Sequence, residues 1–420
     1  MATVYWEPDA SVTAVAQVTT VTVGGTLSGE TFTLTVGDVT VASHTDADTV
    51  IATTVAALVS AWNANAHIYP SQITAVDASP DITLTADTAG VPFVVTLNTP
   101  GGAATLGQAA TTASGSSNDW SVATNWSGGA VPVNSDDVVI DKSSVSILWG
   151  LAQSAVTLDS LTVTKRFTGK LGLNSREFQT SSTATSTDVE EYRQVYLNIK
   201  STVTSLGEHF GTGTPAGSTR IMLDLDSTAS TVTVFDTALT AAETGLPAVR
   251  LLAASASTNI FVRSSQGGVG VAVDAPGETS TIGKMFVVST SANTVVRLGE
   301  GTTLTTWEQY GGNNTIEAAA TITTITSWNG NLRTEGDYVV TTGNCRGGTW
   351  TANHIKTAGN AFTTLNVDGG NMAARGSGAA RTWATVNFKA GQIKADSSVV
   401  TITTLNEADS GPYTADITRS

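Results

Sequence analysis

Apolar residues in this chain alternate with polar ones in short runs broken by Gly, Asn and Asp, the period of two that predicts strands. In the first hundred residues the runs fall at Val12–Val23, Phe32–Val36, Val39–Ala42, Ile73–Val76, Ile82–Ala86 and Phe93–Leu97. One segment departs from this pattern. Ile51, Val55, Leu58, Val59 and Trp62 recur with the 3.6-residue period of a one-sided helix. Thr45 and Asp48 have the spacing of a capping box at its start, and Asn63, Asn65 and Pro70 end it. Strands, one helix and strands again make an α+β plan, so residues 1–98 are read as a small α+β domain that anchors the rest. Residues 99–118 are mostly small, offer little to bury, and are read as a linker.

From residue 119 to 420 no segment sustains a helical period. Turn-type glycines fall at Gly312, Gly330, Gly348, Gly370, Gly391 and Gly411, with spacings of 18, 18, 22, 21 and 20. Similar strands precede several of them: Thr364–Val367, Thr385–Phe388 and Thr404–Asn406. Two positions after several comes an apolar residue: Leu332, Trp350, Met372 and Ile393. Short strands at a period near twenty, with no helix, predict a parallel β-helix, in which each coil buries its inward side chains only by stacking on the next. About 300 residues at this period make some 14 coils, a shaft on the order of 70 Å. The competing plan is one or more β-sandwiches, whose turns recur every 8–12 residues or so. Upstream strands at Val138–Asp141, Val156–Leu158, Leu161–Val163, Val195–Leu197, Ile221–Leu223, Val232–Phe235 and Phe261–Val262 are less evenly spaced, so the early coils carry insertions. Thr180–Asp188 reads as an exposed loop. The expected fold is therefore mainly β: a small N-terminal α+β domain followed by a right-handed parallel β-helix over 119–420.

Composition narrows the function. Hydrophobic residues make up 40% of the 420 positions, which sets the chain apart from disordered sequences. The net charge of −15 repels polyanions and argues against nucleic-acid binding. With one cysteine, Cys345, no intrachain disulfide can form, and stability must come from packing or oligomerisation. Met1–Asp9 has no basic region followed by an apolar run, so no signal peptide is expected. No stretch approaches 18 apolar residues, so no membrane span is expected either.

Two segments resemble known families. Phe32–Leu97, with Val55–Ala64 on the helix and the phrase Thr85-Ala86-Asp87-Thr88-Ala89-Gly90-Val91-Pro92-Phe93, resembles a small module recurrent in phage tail and head-associated structural proteins. Trp120, Asn125-Trp126-Ser127-Gly128-Gly129, Pro132 and Asp136-Asp137-Val138-Val139-Ile140 are similar to the opening of bacterial surface β-helices. There, Trp-rich residues cap the first coil, which has no neighbour to cover it. The combination resembles uncharacterised phage and prophage virion proteins.

The candidates for chemistry each meet a plainer reading. Asp224 and Asp226, if both lie in a strand, project to one face, as the acid and base of a glycan-cleaving tailspike must; a solvated strand face is the ordinary alternative. Asp136, Asp137 and Asp141 offer hard oxygens for Ca²⁺ but lack a loop spacing. His44, His67, His209 and His354 read as surface or turn residues, Glu190-Glu191 as a solvated turn, and Cys345 as a buried structural thiol. Gly267-Gly268-Val269-Gly270 has no following helix and reads as a turn rather than a phosphate loop. Trp307, Tyr310, Trp328 and Trp350 form an aromatic group suited to core, subunit interface or sugar stacking. Asn125 and Asn313 stand in glycosylation sequons, which carry little weight in a bacterial context. No catalytic residue, cofactor site or metal site is assigned. The expectation is a non-enzymatic structural protein, made in the host cytoplasm and carried on the outer surface of a phage particle. Capsid decoration comes first and a tail-associated fibre second; a tailspike depolymerase and a bacterial surface adhesin are the rivals. The expected partners are other copies of the chain, as a homotrimer for instance, and other virion proteins such as the major capsid protein, with no nucleic acid and no membrane.

Overall fold

The computed structural model describes residues 2–419 apart from 10, 26–27, 37–38, 66–71, 99–103, 173–195, 209–220, 236–247, 265–268, 274–278, 291–293, 300, 318–320, 336–337, 354–358, 375–379, 396–399 and 408–415. Among the described residues one element is an α-helix and the rest of the regular structure is almost entirely strand.

The large unit is a parallel β-solenoid. Asp137–Ile140 pairs in parallel with the end of Ala152–Thr164, which pairs with Leu197–Glu208, and the ladder continues one coil at a time to Val400–Glu407. A second ladder runs from Ile221–Asp224 to Asp416–Arg419. A third row stacks Val340, Phe362, Trp383 and Ile402. Alternation explains why the column forms. In Thr302–Ile316 and Arg381–Phe388 every inward residue is buried and its neighbours face out. Stacking satisfies each coil's backbone groups and removes its apolar side chains from water. The apolar residues two positions after the late glycines, Leu332, Trp350, Met372 and Ile393, are stacked in register and buried. The column falls short of fourteen coils because its early turns are longer: Ser160 lies 23 residues beyond its partner Asp137, whereas Asn331 lies 18 beyond Asn313.

The small unit contains the helix Ile51–Ala64, whose Val55, Leu58 and Trp62 pack in one core with Val21, Phe32, Leu34, Ile82 and Leu84. Its start differs from the expected capping box. Thr45 pairs with Thr31 on the neighbouring strand, and Val50 has no side-chain cap. Asp46 does the local work instead, accepting from the Asp48 and Thr49 amides and from the Thr54 hydroxyl at 2.6 Å. Asn65 closes the C-terminus through its backbone N–H to the Trp62 carbonyl. Pro70 lies outside the described residues.

The domain boundaries move at both ends. Residues 99–118 are not a plain linker: Thr105–Thr112 is a strand and pairs antiparallel with Val18–Gly24, at the edge of a four-stranded sheet. Their small side chains suit an edge strand, where the ladder rather than burial holds the chain. Conversely, Thr3–Tyr5 is no part of the small unit. It pairs in parallel with Asp137–Val139 as the outermost strand of the column. The chain thus begins in the solenoid, leaves to build the α+β domain, and returns. Val15 and Gly115 bridge to each other where the two passages meet. The domain is an insertion at the first coil. No helix among the described residues is long and apolar enough to cross a membrane.

Candidate functional site

The first coil is closed by three tryptophans. Trp126 packs edge-on against Trp6 and Trp120, with ring centroids 4.9 and 4.5 Å away, and all three are buried. The Trp126 indole donates to the Trp120 carbonyl at 2.7 Å. The Trp-rich opening therefore covers the column's end, now with Trp6 brought from the chain's start. Asn125 is fully buried there and donates to the Ser116 and Asp119 carbonyls, so its sequon cannot carry a glycan in the folded protein.

The candidate carboxylates do not assemble. Asp224 ends a strand, but Asp226 has left it, with φ of 52° in the left-handed region. Its amide donates to the Asp224 carboxylate at 2.8 Å, closing a tight turn, and Lys200 sits 3.7 Å from Asp226. The two do not share one strand face, and the pair is a turn. Asp136 accepts from the Ala2 and Val133 amides, Asp137 from the Ser160 hydroxyl, and Asp141 from Thr164 and the Arg166 guanidinium. Each of these aspartates ties one segment of the early coils to another, and no group of three or more metal-binding side chains occurs among the described residues.

Cys345 faces the core, fully buried, and burial pushes its thiol up to about 12, as expected of an inert structural cysteine. His44 lies in the strand Val39–Thr45 of the small unit. His67, His209, His354, Glu190-Glu191 and Thr180–Asp188 lie outside the described residues. Gly267 and Gly268 lie outside the described residues; Val269 precedes the strand Gly270–Val273.

The aromatic group splits in two. Trp307 and Trp350 are buried core. Tyr310 and Trp328 stand outside on successive coils, stacked with rings 5.5 Å apart at 11°, in line with Phe286 and Phe261 on the coils before. The Arg346 guanidinium lies over Trp328 at 4.4 Å. Glu308 holds the stack together, bonded to Lys284, the Tyr310 hydroxyl and the Trp328 indole at 3.1, 3.0 and 3.2 Å. Partial burial raises the Glu308 carboxyl, but these hydrogen bonds outweigh it and hold the group below its ordinary value. A group held ionised is poorly suited to donate a proton. Tyr310 and Trp328 remain more than a third exposed, with Trp328 packed against both Tyr310 and Arg346.

Sequence reasoning missed the polar residues inside the column. Gln309 accepts from the Trp307 indole and the Asn314 amide, both at 3.1 Å, and donates to the Asn329 carbonyl at 3.0 Å. The alternating pattern marks both residues as inward, and only their polarity hid them. Comparison of the chain with family models, with curated proteins and with solved structures finds no match in any of the three.

Proposed function

We propose that this protein is a non-enzymatic structural component of a phage virion, carried on the particle's outer surface. The observation that carries this reading is architectural. A parallel column bears a small α+β domain inserted at its first coil, and the Trp6–Trp126–Trp120 cap holds together the two passages of chain that flank the insertion. That is an anchor and shaft built in one chain. The resemblance of Phe32–Leu97 to phage structural modules favours a virion as its setting, and the net charge of −15 suits a surface kept apart from nucleic acid. The engaged roles of Asp224, Asp226 and Glu308 favour architecture over glycan cleavage.

Capsid decoration is the preferred position and a tail-associated fibre the next. Contacts with other copies, as a homotrimer for instance, and with the major capsid protein belong to the same reading. Quantitative mass spectrometry of purified particles tests it. Hundreds of copies per particle identify decoration, and a few to a few dozen identify a tail or fibre. Absence from particles, with the protein found on intact bacterial cells, replaces this reading with an adhesin. Release of reducing sugar from host polysaccharide, abolished in Asp224→Asn, replaces it with a depolymerase.

A further inference from the structure

Among the described residues of the late coils, one buried cation has two guanidinium nitrogens without a hydrogen-bond partner. Arg381 opens the strand Arg381–Phe388 at an inward position, two residues before Trp383, and is 5% exposed. Its neighbours in register are Gly359 on one coil and Val400 on the other, neither of which offers a polar side-chain atom. The Nε and Nη2 of Arg381 are buried without a hydrogen-bond partner, and so is the Trp383 indole N–H. Three orphan donors therefore sit on one inward row of one strand. No carboxylate among the described residues pairs with Arg381, although exposed arginines of the same coils find theirs: Arg333 with Glu335, Arg346 with Asp368. Tyr338, 4% exposed, feels the charges of both Arg381 and Glu335, but its hydroxyl bonds Thr334 and Glu335 is paired with Arg333.

Buried N–H groups need acceptors, and a buried guanidinium needs negative charge as well. A water molecule meets the first need only. A lone charge in the column would be the costliest group in it, because desolvation penalises the ion itself and not only its hydrogen bonds. The geometry points to a small inorganic anion held inside the column against Nε and Nη2 of Arg381, with the Trp383 indole N–H available as a further donor. Guanidinium suits this role because it stays charged at every working pH and presents parallel donors. Such an ion would brace the C-terminal coils where the apolar row is interrupted.

The probe is bromide, which has the charge and approximate size of chloride and scatters anomalously. Thermal unfolding of the full chain is followed in sodium bromide against sodium gluconate at constant ionic strength. The expected result is a midpoint that rises with bromide and saturates, as binding to the folded state requires, with the dependence lost in Arg381→Met. Because that variant could fail to fold, a second measurement uses the unaltered protein: crystals grown in bromide should give an anomalous peak within about 3.5 Å of the Arg381 guanidinium. A midpoint indifferent to the anion, or a water or a carboxylate of the chain itself at that position, overturns the proposal. Neither outcome bears on whether the protein belongs to a virion, since copy number in particles is read separately.

Discussion

Gly348 sits directly on Gly330: a Cβ placed on Gly348 would come 2.2 Å from the Gly330 carbonyl oxygen and 2.7 Å from its amide nitrogen. Gly391 stands on the Gly370 carbonyl in the same way, also at 2.2 Å. These glycines are left-handed, at φ of 71° and 102°, so two constraints coincide, one conformational and one of space. Gly348→Ala should cost about 2–5 kcal/mol, from the left-handed penalty plus overpacking against main chain that cannot move aside. Gly107→Ala is the control. Nothing lies within 4 Å of the added Cβ and φ is ordinary, so that variant should be neutral or gain about 0.5–1 kcal/mol. Urea unfolding of the two variants checks the contrast; equal midpoints would refute the stacked-glycine account.

An asparagine ladder runs up the outside of the same coils. The Asn366 amide donates to Asn344 at 2.8 Å and accepts from Asn387 at 2.7 Å, while Asn406 ends the run with one bond, to Asn387. Asn366→Ala should lose about 1–2 kcal/mol, two net hydrogen bonds at a half-buried site, and Asn406→Ala about half as much. Denaturation midpoints should rank the variants in that order. A larger loss at Asn406 would show that side-chain pairing is not what matters there.

Much of the column could be read before any coordinates, because one coil is a short local pattern repeated. Gly330, Gly348, Gly370 and Gly391 mark a backbone state that few other residues adopt, and the inward Leu332, Trp350, Met372 and Ile393 follow at fixed offset. What stayed hidden depends on distant partners. Thr3–Tyr5 is too short to announce itself, and its place beside Asp137–Val139 is fixed by residues 134 positions away. Thr105–Thr112, with its run of small residues, becomes a strand because Val18–Gly24 presents an edge to it. Asp226 looked like a strand residue because alternation cannot see a left-handed turn. Arg381 escaped notice as Gln309 did: alternation with Trp383 puts it on the inward face, but its charge argued for the outside.

Cys345 and Tyr338 give the fold a definite alkaline limit. Burial raises the Cys345 thiol from an ordinary 9.0 to about 12, and raises the Tyr338 hydroxyl above the usual phenol range. Both groups are held neutral in the folded chain and ionise more easily once it unfolds. Their contribution is therefore fully present below about pH 9 and declines as pH climbs towards the folded values. Stability measured from pH 7 to pH 11 should be flat at first and then fall, and Cys345→Ala should flatten part of that fall. Native protein at pH 8 should resist thiol alkylation and react promptly once unfolded. Rapid alkylation of the folded chain would place the thiol in an exposed setting and remove the argument.

Trp6 joins the chain's start to the column's end, and its loss should act locally. Trp6 is buried against Trp126, its amide donates to the Val139 carbonyl at 2.9 Å, and the next residue's amide donates to Asn125 at 2.8 Å. Replacement by Ala removes a large buried ring, a change that costs about 3–5 kcal/mol in an ordinary core. In a stacked column each coil contacts chiefly its neighbours, so the damage should remain at the exposed end rather than spread evenly. Hydrogen exchange should quicken at Val4, Val138 and Ile140, while Leu365 and Val386, many coils away, keep their protection. The inserted domain should keep its own core, Phe32 with Leu58 and Trp62, but become easier to cleave away near Val15 and Gly115. If exchange instead rises uniformly through the late coils, the column unfolds as one cooperative body, and Trp6 is part of its nucleus rather than a lid on its end.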